Sequence, residues 1–286
     1  MTTMLEKNER HVDAKFKQLI AKILNEGHLD ENPRTVWASD KTSANSIFIT
    51  QEMITFDTDK GEVPITSLRP IAFKSSNEEL LWIYQDQTSD LSVLEARGVN
   101  WWENWKMADG TIGQRYGATI NRYEMVDKLL QGLKENPFGR RHIMNMWQEK
   151  DLSEPGALSP CAYETLWSVR REEGELVLDC TLIQRSSDYL VAGHINALQY
   201  HSLQLAFAKH LSYKVGKFTQ FIQNVHIYER HLDNAQILLG RQGQQSEPRF
   251  YLDVPDGTDF YKIQASDFKL ENYEPVKPNL KFELAE

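Results

Sequence analysis

The stretch from Ile195 to Leu211, INALQYHSLQLAFAKHL, is the most apolar long segment of the chain. Such a segment is stable only when other elements cover it on all sides, so it predicts a central helix within a sizeable core. The neighbouring patterns supply that cover. Residues 12–26 put Phe16, Leu19, Ile20, Ile23 and Leu24 on one helical face, and Gly27 stops the helix. Residues 75–86 read as a helix capped by Ser75 or Ser76. Residues 123–135 read as an amphipathic helix that Asn136-Pro137 ends, and residues 229–239 as a further helix. Residues 47–56, 141–147 and 215–225 look extended, and 163–170 and 176–184 alternate across REEGE as a hairpin does. Residues 32–46 and 109–117 read as loops, and the last fifth as turn-rich with short strands. The mixture is α+β, with helices against one sheet. No Pro/Gly/Ser-rich linker, repeat or low-complexity tract interrupts it, so residues 1–286 are expected to form a single domain.

The formal net charge of −9 makes a broad nucleic-acid surface an unfavourable reading. A few focused arginines can still hold one small anion. Two cysteines, Cys161 and Cys180, are too few for a disulfide framework and suggest a reducing cytoplasm. The polar start lacks the apolar core of a signal peptide, and apolar runs such as Leu80 to Tyr84 are far too short to span a bilayer.

Cys161 follows a proline and precedes a strand in LSPCAYETLW, a junction where a side chain can project into a cleft. It is either an activated nucleophile or a half-buried structural thiol. Cys180, mid-strand in LVLDCTLIQ, fits packing. Arg34 in a loop, the Arg140-Arg141 pair after a turn, and Arg185-Ser186 at a strand end offer donors that can converge on a phosphate, although exposed arginines are usually only solvated. Asn196, at the start of the apolar helix, can read the N3–H and O4 edge of a uracil or cap the helix. His226 and Tyr228 alternate and so share a strand face, where they can meet a sugar hydroxyl. Glu79 is either a partly buried proton shuttle with a raised pKa or a surface carboxylate. Trp101, Trp102 and Trp105 can stack a flat heterocycle or pack the core. His226 and His231 lack zinc-protease spacing and no Cys-x-x-Cys occurs, so no metal is expected.

Together these segments resemble the thymidylate synthase family over nearly the whole chain. NPFGRRHIMNMW resembles its arginine-pair segment, LSPCAYETLW its Pro-Cys nucleophile segment, and CTLIQRSSDYLVAGHINALQY its Gln-Arg-Ser-x-Asp to Asn helix. VHIYERH resembles its His-x-Tyr segment and EELLW its glutamate helix. The resemblance implies that family's fold, a large mixed β-sheet flanked by helices. It implies reductive methylation of dUMP to dTMP, with 5,10-methylenetetrahydrofolate as co-substrate, dihydrofolate as product, and no nicotinamide. Cys161 would attack C6 of the uracil. Arg34, Arg185 and Ser186 would hold the phosphate from the same subunit, and Arg140 and Arg141 would cross from the other protomer of a homodimer. Asn196 would read the base, Gln184 would lie near the nucleophile and the ligand, and His226 and Tyr228 would bind the 3′-hydroxyl. Glu79 and Tyr116 would organise proton transfer through water. Trp102, Trp105 and Asp188 would border the folate, with Asp188 near the pterin. Arg69 stands where the family commonly has a lysine near the folate tail, and Ala285 falls in the closing C-terminal segment.

Three departures stand out. Ala162 replaces the histidine that usually follows the nucleophile. Val191 to Asn196 reads VAGHIN where Leu-Gly-x-Pro-Phe-Asn is usual. The chain ends in Glu286 rather than a small or aliphatic residue. A dUMP hydroxymethylase of the same fold is the alternative enzyme, and Asn196 favours uracil over cytosine for either. A thiol hydrolase using Cys161, Asn196 and His226 would not need the arginines. A catalytically silent nucleotide-binding protein would not need Cys161.

Overall fold

A computed structural model describes residues 9–286. The reading of the polar start falls in part on residues 1–8, outside the described residues. In chain order the elements are α1 (His11–Glu26), β1 (His28–Leu29), β2 (Ser46–Phe56), α2 (Phe73–Tyr84), α3 (Leu91–Ala96), α4 (Gly117–Arg122) and α5 (Met125–Glu135). There follow β3 (Ile143–Asn145), α6 (Glu149–Ser153), β4 (Ala162–Glu172), β5 (Glu175–Gln184), β6 (Ser187–Asp188), α7 (His194–Leu211), β7 (Lys214–Tyr228), α8 (Leu232–Gly240), β8 (Arg249–Leu252) and β9 (Phe268–Glu271).

One mixed sheet runs in the order β1-β2-β7-β5-β4-β3, with β6 paired to β7. The β4–β5 hairpin is antiparallel, as its alternation predicts. β5 and β7 are parallel, so the chain must cross over between them, and α7 is that crossover. Its buried residues lie all round the helix, from Ala197 through Leu203 to Ala208, as its unbroken apolarity requires. Trp167, Leu178, Cys180, Leu182 and Phe218 from the sheet share its core with Leu80, Leu81 and Tyr84 of α2. A second cluster joins Phe16, Ile20 and Ile23 of α1 to Ile222, Val225 and Ile227 of β7 and Leu238 of α8.

Several element boundaries differ from the sequence expectation. α2 begins at Phe73, with Ala72 as an N-cap that makes no side-chain bond. Ser76 instead donates back to the Phe73 carbonyl at 2.7 Å, so neither serine caps the helix. The helix expected over 123–135 is α5, which starts at Met125; Glu124 in the left-handed region (φ 52°) parts it from the short α4 that ends at Arg122. The expected strand 141–147 shrinks to Ile143–Asn145. A π-helical turn over Tyr189–Gly193 leads directly into α7. Asn196 therefore lies inside the helix rather than at its start, and it is not a cap.

Candidate active site

Cys161 sits immediately before β4 and is partly exposed. Arg185, just past the end of β5, reaches back to it. The Arg185 amide donates to the Cys161 carbonyl at 2.9 Å, its Nε to Pro160 O at 3.0 Å, and its Nη2 to Ser159 O at 2.8 Å. The same Nη2 lies 3.3 Å from Cys161 Sγ. Both ends of one hairpin thus place a cation on a thiol, and Ser186 follows half-buried beside it. Burial pushes the Cys161 thiol above its ordinary pKa, while Arg185 and then Arg34 pull it down. The arginines favour the thiolate as expected, yet burial outweighs them within one chain. Cys180 is buried and unreactive by position, in keeping with a packing role.

Cys161, Ala162, Asn196, Gln199, Tyr200, Glu79, Tyr84, Trp102 and Tyr116 line one cavity of about 70 Å³. Glu79 is buried at 7% exposure, which rules out the surface reading. Burial raises its pKa, against hydrogen bonds from Gln199, Trp102 and Trp101. Trp101 Nε1 donates to Glu79 Oε1 at 2.8 Å, and Trp102 Nε1 donates to the same oxygen. The tryptophan patch therefore anchors this carboxylate. Trp105 packs edge-on against Trp102, with centroids 5.7 Å apart. Tyr116 stands edge-on to Trp102 at 5.1 Å, with its backbone at φ 47°. A non-glycine residue held there costs on the order of 1–3 kcal/mol, and such strain collects at working sites.

Asn196 is held on both sides. Gln184 Nε2 donates to its Oδ1 at 3.1 Å, and its Nδ2 donates to Gln199 Oε1 at 3.2 Å. Sequence reasoning missed Gln199 and Gln220. The available signal was an amide at i+3 from Asn196 on the most apolar helix, and another amide alternating with apolar residues along β7. Tyr200 was missed too; its hydroxyl supports the nucleophile strand through Ala162 O at 3.2 Å.

His226 and Tyr228 lie near the end of β7 with ring centroids 4.9 Å apart. Asn224 Oδ1 is 3.0 Å from His226 Nδ1, and burial lowers the His226 pKa to about 4, so the ring is neutral near pH 7. Tyr228 packs on Trp37 at 5.6 Å, and Ala285 bridges Trp37 from the C-terminal segment. The amide and carbonyl of Glu286 pair with Val36, and its carboxylate pairs with Lys41. Asp188 is half-buried, and desolvation of its carboxyl drives its pKa up to about 7 against the Val191 amide and Arg69. Its Oδ1 has no partner among the described residues. Arg69 Nη2 donates to Leu190 O at 2.6 Å and Val191 O at 3.0 Å, and its guanidinium lies 5.2 Å from the Phe282 ring centroid. Its charge is thus occupied in holding the π-helical turn and the C-terminal segment.

Among the described residues, Arg34, Arg140 and Arg141 are the arginines that make no hydrogen bond or ion pair, and all three are exposed. Arg140 and Arg141 do not line the Cys161 cavity of their own chain. Arg141 faces a separate groove with Leu129, Asn136 and His142.

A family profile described as Thymidylate synthase matches residues 14–286. The thymidylate synthase of Lactococcus lactis subsp. cremoris (strain SK11) is 53% identical over 277 residues, covering 96% of this chain and 99% of that protein. The thymidylate synthase of Streptococcus suis (strain 05ZYH33) is 50% identical over 275 residues, with 96% and 98% covered. Among solved structures, the thermostable thymidylate synthase A from Bacillus subtilis matches with a TM-score of 0.87 at 36% identity, covering 96% of this chain and 99% of that one. With a profile match over nearly the whole chain and relatives at half identity or more across almost their full length, the chain belongs to the thymidylate synthase family.

Proposed function

We propose that this chain converts dUMP to dTMP through covalent catalysis by Cys161. The observation that carries the reading is the shared cavity: the Cys161 thiol, the Asn196 amide and the Glu79 carboxyl line one space, with Arg185 3.3 Å from the sulfur. The relatives described above carry the synthase name, and nothing at the site favours the hydroxymethylase reading.

Uracil C5 is a poor nucleophile until C6 is attacked. The Cys161 thiolate adds at C6, which breaks the C5=C6 double bond and makes C5 enolate-like. Asn196 Nδ2 and Oδ1 each keep one free valence for O4 and N3–H of the base. Glu79, its proton favoured by burial, and Tyr116 move protons at the O4 edge through water. Once C5 has taken the one-carbon unit, loss of the C5 proton and departure of the sulfur restore the thiolate. Arg34, Arg185 and Ser186 bind the phosphate, and His226 and Tyr228 the 3′-hydroxyl. Methylenetetrahydrofolate, when bound, supplies both the carbon and the hydride and leaves as dihydrofolate, so no nicotinamide or metal is required. The site fits it: Asp188 Oδ1 is a buried acceptor without a partner, suited to a pterin N–H, and Trp102 and Trp105 offer aromatic walls. Arg69 supports that wall through the Leu190 and Val191 carbonyls, and Ala285 closes it from the C-terminal side.

The unpaired Arg140 and Arg141 are read as donors to the phosphate across a homodimer. The sheet supports this. Ile183, Phe221 and Met53 stand side by side in register, on the face opposite inward-pointing Leu182, Gln184, Gln220 and Ile222. Met53 is 69% exposed, and an apolar row of this kind calls for a second copy. We take residues 1–286 as one catalytic domain. With both cysteines free thiols, we place the enzyme in a reducing cytoplasm.

Turnover of dUMP with methylenetetrahydrofolate, followed by dihydrofolate absorbance, tests the function. Cys161→Ser should lose activity by at least ~10³-fold, since a hydroxyl is a far weaker nucleophile at neutral pH. Retained activity in that variant, or a product with the mass of hydroxymethyl-dUMP, would reject the reading.

A further inference from the structure

Four amides form one chain that ends on Glu79. Gln220 Nε2 donates to Gln184 Oε1, Gln184 Nε2 to Asn196 Oδ1 at 3.1 Å, Asn196 Nδ2 to Gln199 Oε1 at 3.2 Å, and Gln199 Nε2 to Glu79 Oε2. The three glutamines are at most 3% exposed.

An isolated amide can be flipped at little cost, but this chain cannot. Gln199 Nε2 faces the Ser76 carbonyl at 3.1 Å, a group that only accepts, as well as Glu79 Oε2. Its Oε1 must therefore point at Asn196 and demands a donor there. Asn196 then presents its oxygen to Gln184. At the other end Gln220 Nε2 also meets the Gly193 carbonyl at 3.4 Å, which fixes the same direction.

We propose that Gln199 is a positioning residue that locks Asn196 in the uracil-reading orientation and ties that orientation to the proton on Glu79. This inference rests on the function proposed above. Uracil offers a donor at N3 and an acceptor at O4, which match Asn196 Oδ1 and Nδ2. Cytosine offers the reverse pair and would need the flipped amide. A flipped Asn196 would set oxygen against Gln199 Oε1 and nitrogen against Gln184 Nε2, two buried mismatches at once. The Gln199 amide N–H meanwhile favours the ionised form of Glu79, so its loss makes that proton harder to remove.

Two substitutions separate the halves of the proposal. Gln199→Glu keeps an acceptor for Asn196 but replaces the amide donor to Glu79 with a second carboxyl, whose like charge opposes ionisation of the pair. Gln199→Met, of similar length, removes both. The kcat/KM ratio for dUMP against dCMP and the pH profile of kcat are measured for wild type and both variants, with Tm as a folding control. Gln199→Met should lower the dUMP preference by roughly tenfold and move the ionisation of Glu79 upward by about one pH unit. Gln199→Glu should move the ionisation upward while holding the preference within about twofold. The proposal is overturned by an unmoved pH profile, or by equal loss of preference in the two variants. A merely structural role would lower Tm and leave both readouts in place. Should Gln199→Met not fold, Gln199→Glu alone decides, because retained preference with a moved profile is required. Failure of wild type to turn over dUMP would reject the function itself, a different outcome from unchanged variants.

Discussion

Arg185 holds Cys161 from both sides of the peptide: its backbone amide binds the cysteine carbonyl at 2.9 Å while its guanidinium lies 3.3 Å from the sulfur. The arginine both shapes the loop and lowers the thiol pKa against burial. Arg185→Ala should therefore raise that pKa further and slow alkylation of Cys161 at pH 7. Iodoacetamide inactivation rates across pH would show the shift. Arg185→Lys, a compact charge without the planar fork, should recover the alkylation rate in part but not the nucleotide affinity.

Glu79→Gln keeps an acceptor for the two indoles but no transferable proton. Activity should fall by ~10²–10⁴, with dUMP binding little changed. Steady-state kinetics with a dUMP titration checks the separation. An equal loss in KM and kcat would point to a binding role instead.

The exchange of arginines proposed above is tested by mixing two inactive variants. Cys161→Ser and Arg141→Ala should each be nearly inactive alone. In a mixed dimer one site carries both lesions and the other none. Random mixing after dissociation should thus restore activity to about a quarter of wild type. No recovery on mixing would place Arg141 outside the partner's site.

His201 lies buried between Phe218 and Phe250, and burial lowers its pKa to about 4. An unfolded histidine titrates near 6.5, so between those values the unfolded chain holds a proton that the folded chain refuses. The stability contributed by the neutral ring is complete above that window and is lost as pH falls through it, by on the order of 3 kcal/mol for His201. His226 and His194 act in the same direction. His201→Asn should flatten the decline in urea midpoint between about pH 6.5 and 4.5, even if it is less stable at neutral pH.

Much of this was legible because the signals are local. The unbroken apolarity of Ile195 to Leu211 announced a helix buried all round, and alternation on either side of REEGE announced β4 and β5. Cys161 and Arg185 are separated by little more than that hairpin, and the family motifs named both. The start of α2 departs from the serine-capped expectation because Ser76 turns its hydroxyl back on Phe73 rather than forward on the helix amides. The π-helical turn before α7 leaves no mark in side-chain period. Gln199 escaped because its partner Glu79 is 120 residues away, and polarity inside an apolar helix says nothing of what it faces.

The parallel register of β5 and β7 sets Leu182 beside Gln220 and Gln184 beside Ile222. A single residue gained or lost within either strand would turn Gln184 or Gln220 outward and break the amide chain in the middle. Insertions and deletions among descendants of this sequence should therefore collect at the Glu173-Gly174 tip of the hairpin, where both residues already adopt positive φ and lie at the surface. The strands themselves are left free to diverge in composition but not in length.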